Sequence, residues 1–94
     1  MSSRLRFRHN KDRDQKLYHA ALNRLHIPFV DLSMVGGGCP DLLVSHNRET
    51  ILFEIKTNSA KLTEAEAIFH AYWQGRVFVV RSVEDMLYHL GLLK

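Results

Sequence analysis

Three residues carry the chemistry this sequence offers. Asp41 opens a short apolar run, "PDLLV", and Glu54 and Lys56 close another, "ILFEIK". In an extended strand, alternate side chains share a face, so Ile51, Phe53 and Ile55 point one way and Glu54 and Lys56 the other. Folding the two runs into a hairpin about Asn47-Arg48 sets Asp41 opposite Glu54. Directly opposed residues have Cβ atoms about 4.5–5.5 Å apart. Two carboxylates that close repel each other unless something cationic sits between them. A hard divalent cation with oxygen ligands meets that need, and Lys56, one pleat along, adds a fixed positive charge. The bland alternative is a lysine–glutamate pair on a sheet edge, which contributes little.

The elements that must position these residues follow from pattern. With 94 residues and 46% hydrophobic content, the chain is expected to form one domain with a modest core. "RDQKLYHAALNRL", 13–25, predicts a helix with Leu17, Ala21, Leu22 and Leu25 on its apolar face, Asp12 placed to cap it and Pro28 to stop it. "PFVDL" reads as a short strand and "MVGGGC" as a loop. "DLLVS" and "TILFEIK" form the hairpin. Its link is not Asn-Gly, so a loose or longer loop is expected.

A second helix runs from Thr63 to about Gln74. Thr63 and Glu66 match the capping box, Ile68, Phe69, Tyr72 and Trp73 make its apolar side, and Gly75 ends it. "VFVV" suits an interior parallel strand. "SVED" opens a last helix with Val83, Met86, Leu87 and Leu90 inward and Gly91 as its stop. The order α-β-β-β-α-β-α, with a right-handed crossover from the strand at 51–56 to the strand at 77–80, gives an α/β fold. Its small mixed sheet carries helices on both faces.

Formal net charge is +3, and the cations are unevenly spread. Arg4, Arg6, Arg8, Lys11, Arg13 and Lys16 crowd the N-terminus, with residues 1–11 as a basic arm. Such an arm reads either as a phosphate-binding segment or as a solvated terminus. Cys39 is the only cysteine, which excludes a disulfide within the chain. No apolar run approaches the ~20 residues of a membrane span, and residues 1–11 lack the apolar centre of a signal peptide. The expectation is no membrane partner and a cytoplasmic location. The six histidines form no recognisable metal motif. His70, one turn beyond Glu66, is read as a partly buried histidine and Cys39 as structural.

Pro40-Asp41 followed by Glu54-Ile55-Lys56 resembles the PD-(D/E)xK nuclease signature. More of the chain resembles one branch of it, the VRR-NUC domain in its small stand-alone form. The matching text is "VGGGCPDLLV", "LFEIK", "KLTEAEAIFHAYWQG" and "VFVVRSVEDML", and it spans residues 12 to 90.

The resemblance implies a restriction-endonuclease-like core and hydrolysis of phosphodiester bonds. Asp41 and Glu54 would ligate Mg²⁺ or Mn²⁺, with the backbone carbonyl of Ile55 as a further ligand. Lys56 would orient or activate the attacking water. Gly36, Gly37 and Gly38 would let backbone approach a phosphate of DNA, joined by Arg4, Arg6, Arg8, Lys11 and Arg13. From the first helix, Asp14 and Gln15 are the nearest match to the family's additional polar groups, with Asp12 as an alternative. Glu66 stands where the family commonly has glutamine, and it reads either as a metal ligand or as a helix cap.

The expected activity is a Mg²⁺- or Mn²⁺-dependent DNA endonuclease acting as a homodimer on four-way (Holliday) junctions. The rival readings are a catalytically silent DNA-binding or assembly module, and a general single-strand or RNA nuclease.

Overall fold

The structure of the chain is a computed structural model, and it describes residues 14–93. Helix α1 covers residues 14–24 of the described part. Strands β1 (Phe29–Asp31), β2 (Leu42–His46) and β3 (Glu49–Ile55) follow, then helix α2 (Glu64–Tyr72), strand β4 (Arg76–Val80) and helix α3 (Val83–His89). The element order is the expected one. Arg4, Arg6, Arg8, Lys11, Asp12 and Arg13, and with them the basic arm and the proposed cap, lie outside the described residues.

The strands form one sheet in the order β1-β2-β3-β4. β1–β2 and β2–β3 are antiparallel and β3–β4 is parallel. Among the described residues β4 is therefore an edge strand, not the interior strand its apolar run predicted. A short run of apolar residues has the same pattern in either position.

The hairpin register is the expected one, with Leu42 facing Phe53 and His46 facing Glu49. Its link differs. Asn47 (φ 53°) and Arg48 (φ 65°) form a tight two-residue turn with both centres left-handed, the arrangement whose twist matches the strands it joins. Asn tolerates that conformation well. Arg does so at roughly 1–2 kcal/mol, which the strand pairing offsets.

One sheet face builds the core. Leu42, Val44, Ile51, Phe53, Ile55 and Val80 share it, and they pack with Tyr18 and Leu22 of α1, Met86 of α3 and Leu90 at its end. In α1 the buried stripe is turned from the one expected. Tyr18 and Leu22 are inside, whereas Leu17 (58% exposed) and Leu25 (45%) face out. Tyrosine presents an apolar body as well as a polar tip, so Tyr18–Leu22 is an equally good stripe. α1 also ends before Pro28 acts. His26 turns left-handed (φ 58°), its N–H reaches the Asn23 carbonyl and the Ile27 N–H reaches the Leu22 carbonyl. This is a Schellman closure, with Ile27 buried behind it.

The opposite face carries Leu52, Glu54 and Lys56, and α2 lies over it. Its capping box is formed as expected, with Thr63 accepting from the Glu66 N–H and Glu66 accepting from the Thr63 N–H. α2 stops at Tyr72, because Trp73 is already extended; Gly75 is not its cap. No α2 residue is buried. Ile68, Tyr72 and Trp73 are exposed and Phe69 stacks on Trp73 at 5.0 Å, so the predicted apolar side is not part of the core. α3 matches expectation: Ser82 caps it by accepting from the Asp85 N–H, and Gly91 (φ 80°) closes it.

Candidate active site

Asp41 is where the β2–β3 ladder passes from backbone to side chain. Its N–H donates to the Phe53 carbonyl at 3.0 Å and its carbonyl accepts from the Leu32 N–H at 2.8 Å. Its carboxylate Oδ2 then accepts from the Ile55 N–H at 2.8 Å. An aspartate at the mouth of a strand can thus extend the pairing by one rung while holding its second oxygen elsewhere. That second oxygen, Oδ1, accepts from Gln15 Nε2 at 3.1 Å. The carboxylate is fixed from both α1 and β3.

Continuing the register one step beyond the Leu42–Phe53 pair places Glu54 opposite Asp41. Asp41 (5% exposed), Glu54 (1%) and Lys56 (9%) are the buried charged residues among those described. Charged groups are seldom withdrawn from water without compensation, and a core needs none of these three. Lys56 Nζ lies 3.9 Å from Glu54 Oε2 and 2.7 Å from Glu66 Oε1. The helix-cap reading of Glu66 is borne out, and its carboxylate has a second partner in Lys56. One oxygen, Oε1, both caps α2 and pairs with Lys56, so the helix start and the lysine are held by the same carboxylate.

Gly38 explains how α2 comes so close. A Cβ there would lie 2.4 Å from the Ala65 carbonyl oxygen, and the backbone is left-handed (φ +83°). The loop before Asp41 thus rests directly on the first turn of α2, next to Glu66. Gly36 and Gly37 are also left-handed but face open space. The three glycines expected to approach a phosphate divide accordingly: Gly38 packs the site, and Gly36 and Gly37 leave backbone exposed.

Cys39 stands two residues before Asp41, and Tyr18 lies in the core cluster under α1. Burial, followed by Glu54 and then Asp41, pushes the Cys39 thiol up, so it stays protonated at neutral pH. Tyr18 is buried, and its hydroxyl has no hydrogen-bond partner among the described residues. Burial, then the carboxylates of Asp14, Asp85, Glu84 and Asp41, raise its phenol well above the usual range. His70 is half-buried with Nε2 enclosed. Burial pulls its imidazole down while Glu66 pulls it up. Of the two α1 candidates, Gln15 joins Asp41, while Asp14 lines a cleft between α1 and the start of α3.

Among the described residues no group of three or more His, Cys, Asp or Glu side chains is arranged to hold a metal. Two opposed carboxylates do suit Mg²⁺ or Mn²⁺, which commonly take one or two carboxylates and complete their shell with water, backbone oxygen and substrate phosphate. Comparison with protein families, with curated proteins and with solved structures found no match to the chain.

No helix among the described residues is long and apolar enough to cross a membrane.

Proposed function

We propose that the chain is a metal-dependent nuclease of the PD-(D/E)xK type, hydrolysing phosphodiester bonds in DNA. The observation that carries this reading is the burial of Asp41, Glu54 and Lys56 on one sheet face, in the register that opposes the two carboxylates. A silent binding module has no use for three buried charges held by Gln15, Ile55 and Glu66.

Asp41 and Glu54 would hold Mg²⁺ or Mn²⁺, with the Ile55 carbonyl beside them. The ion supplies a low-pKa water and neutralises charge on the phosphoryl oxygens. The chain's own residues do the rest. Gln15 and the Ile55 N–H aim the Asp41 carboxylate. Glu66 holds the Lys56 ammonium at the mouth of the site, where it orients the attacking water and offsets negative charge developing at phosphorus.

The proposed substrate is branched DNA, with four-way junctions preferred, and the proposed working unit is a homodimer. No helix-turn-helix or other base-reading element occurs among the described residues, which favours recognition by shape. A two-fold dimer would present opposed sites to paired strands. The test is incubation of the protein with Mn²⁺ and a panel of linear, nicked, flap and four-way DNA, with molar mass measured by light scattering. Paired nicks in the junction and a dimer mass are expected. A monomer at micromolar concentration, or equal cutting of linear duplex and junction, would remove the junction-resolving part.

A further inference from the structure

α1 and the start of α3 enclose a cleft of about 430 Å³ on the other side of α1's first turn from Gln15. Asp14, Leu17, Tyr18 and Arg24 line it from α1, and Arg81 and Glu84 from the segment that follows β4. We infer that this cleft binds one unstacked nucleobase of the substrate strand. The inference rests on the nuclease reading above and names a subsite for it.

Three observations lead to a base rather than a phosphate. The charges on the walls balance, with the guanidiniums of Arg24 and Arg81 set against the carboxylates of Asp14 and Glu84. A bare phosphate would meet repulsion as well as attraction there. A base has apolar faces and an edge of mixed donors and acceptors, and that combination of groups complements it. The apolar part of the wall is open, since Leu17 is 58% exposed although it lies on a helix whose other face is core. Arg81 is also held ready: its Nη1 donates to the Asn58 carbonyl at 2.8 Å. A guanidinium carries five donor hydrogens, so others remain for a ligand.

The cleft's place in the fold ties it to the catalytic centre. Gln15, next to Asp14 in α1, holds Asp41. On the other wall, Arg81 follows Val80, whose carbonyl accepts from the Lys56 N–H at 3.0 Å. Both walls are thus continuous with residues of the Asp41–Glu54–Lys56 group. The cleft thus shares α1 and the β4–α3 segment with the residues that hold that group. Taking up the base requires it to leave its stack, which is least costly at a junction or in a single strand.

The experiment is a ligand–protein double difference measured by binding in Ca²⁺. Oligonucleotide junctions carry one abasic position, scanned through the nucleotides flanking the cut. They are bound to the wild type and to Leu17→Gln, a substitution at an exposed helix position that leaves the proposed catalytic group intact. At one position the abasic change should weaken wild-type binding by about fivefold or more, and Leu17→Gln should lose about the same with the base present. In the variant the abasic change should then cost less than about twofold. Equal abasic losses in both proteins, or no loss at any position, would overturn the inference while cleavage in Mn²⁺ still upheld the nuclease. Absence of binding to every nucleic acid, together with absence of cleavage, would overturn both.

Discussion

The two faces of the sheet follow different rules. On the face under α1 and α3, every buried strand residue is apolar or aromatic, and both helices contribute fully buried side chains. On the face under α2, the same strand β3 carries Glu54 and leads into Lys56, and the helix above it buries nothing. α2 is held instead by a shared carboxylate, Glu66, and by the close approach of Gly38 to the Ala65 carbonyl. The contrast teaches where the stabilising core ends and the candidate site begins. One face supplies the hydrophobic stabilisation that lets the other keep charges out of water.

Neighbouring residues on β3 offer the strongest way to break that comparison. Phe53, fully buried on the core face, should cost about 3–5 kcal/mol of stability when changed to alanine. For a domain of this size that lowers the melting temperature by well over ~10 °C. Glu54→Ala, one residue on, should abolish cutting, a loss on the order of a thousandfold or more, without lowering the melting temperature, while DNA binding survives. Removing a buried carboxylate relieves its desolvation, as expected if the proposed site trades stability for activity. Calorimetric melting and single-turnover cleavage of both variants would check this. If Glu54→Ala melted as early as Phe53→Ala, the charged face would be part of the stabilising core after all.

A smaller effect separates the glycines. Gly38→Ala drives a Cβ into the backbone of α2, so it should cost about 1–3 kcal/mol and slow cleavage by displacing Glu66. Gly36→Ala meets only the left-handed backbone, for which about 1 kcal/mol is expected with activity kept. Urea unfolding and rate measurements on both would show whether the loop positions α2 through Gly38. Equal losses would mean that it does not.

Glu66→Gln changes one contact and leaves the helix cap. The amide oxygen can still accept from the Thr63 N–H, so stability should move by no more than about 1 kcal/mol. The ion pair with Lys56 is lost, and cleavage should fall by about tenfold, as expected for a charge-assisted contact of ~1.4 kcal/mol. An unchanged rate would reduce Glu66 to a helix cap.

Much of this site was legible in the sequence because strand geometry is simple. Period-two alternation in "ILFEIK" and a hairpin pivot at Asn47-Arg48 suffice to oppose Asp41 and Glu54, and the observed register agrees. The capping box at Thr63 was equally local. What escaped depended on contacts distant in sequence. Glu66 could not be seen to serve Lys56 and its own helix at once, since that requires α2 to settle over β3. Gly38 read as an open phosphate loop because its neighbour, Ala65, lies beyond the whole β2–β3 hairpin. The α1 face was misjudged because Tyr18 and Leu17 make competing stripes, and the choice between them rests on how the helix docks. The tight turn was missed because Arg48 is a poor left-handed residue by itself, and only the strand pairing on either side selects it.

The central claim is that Asp41, Glu54 and Lys56 hydrolyse phosphodiesters with a divalent metal. The most direct measurement is the single-turnover cleavage rate of a four-way junction by wild type and Glu54→Ala, side by side, in Mn²⁺, in Ca²⁺ and in excess chelator. Cleavage by the wild type in Mn²⁺ alone, with the variant silent in all three conditions, is the predicted result. Full wild-type activity in chelator, or a variant that cuts at a near-normal rate, would contradict it.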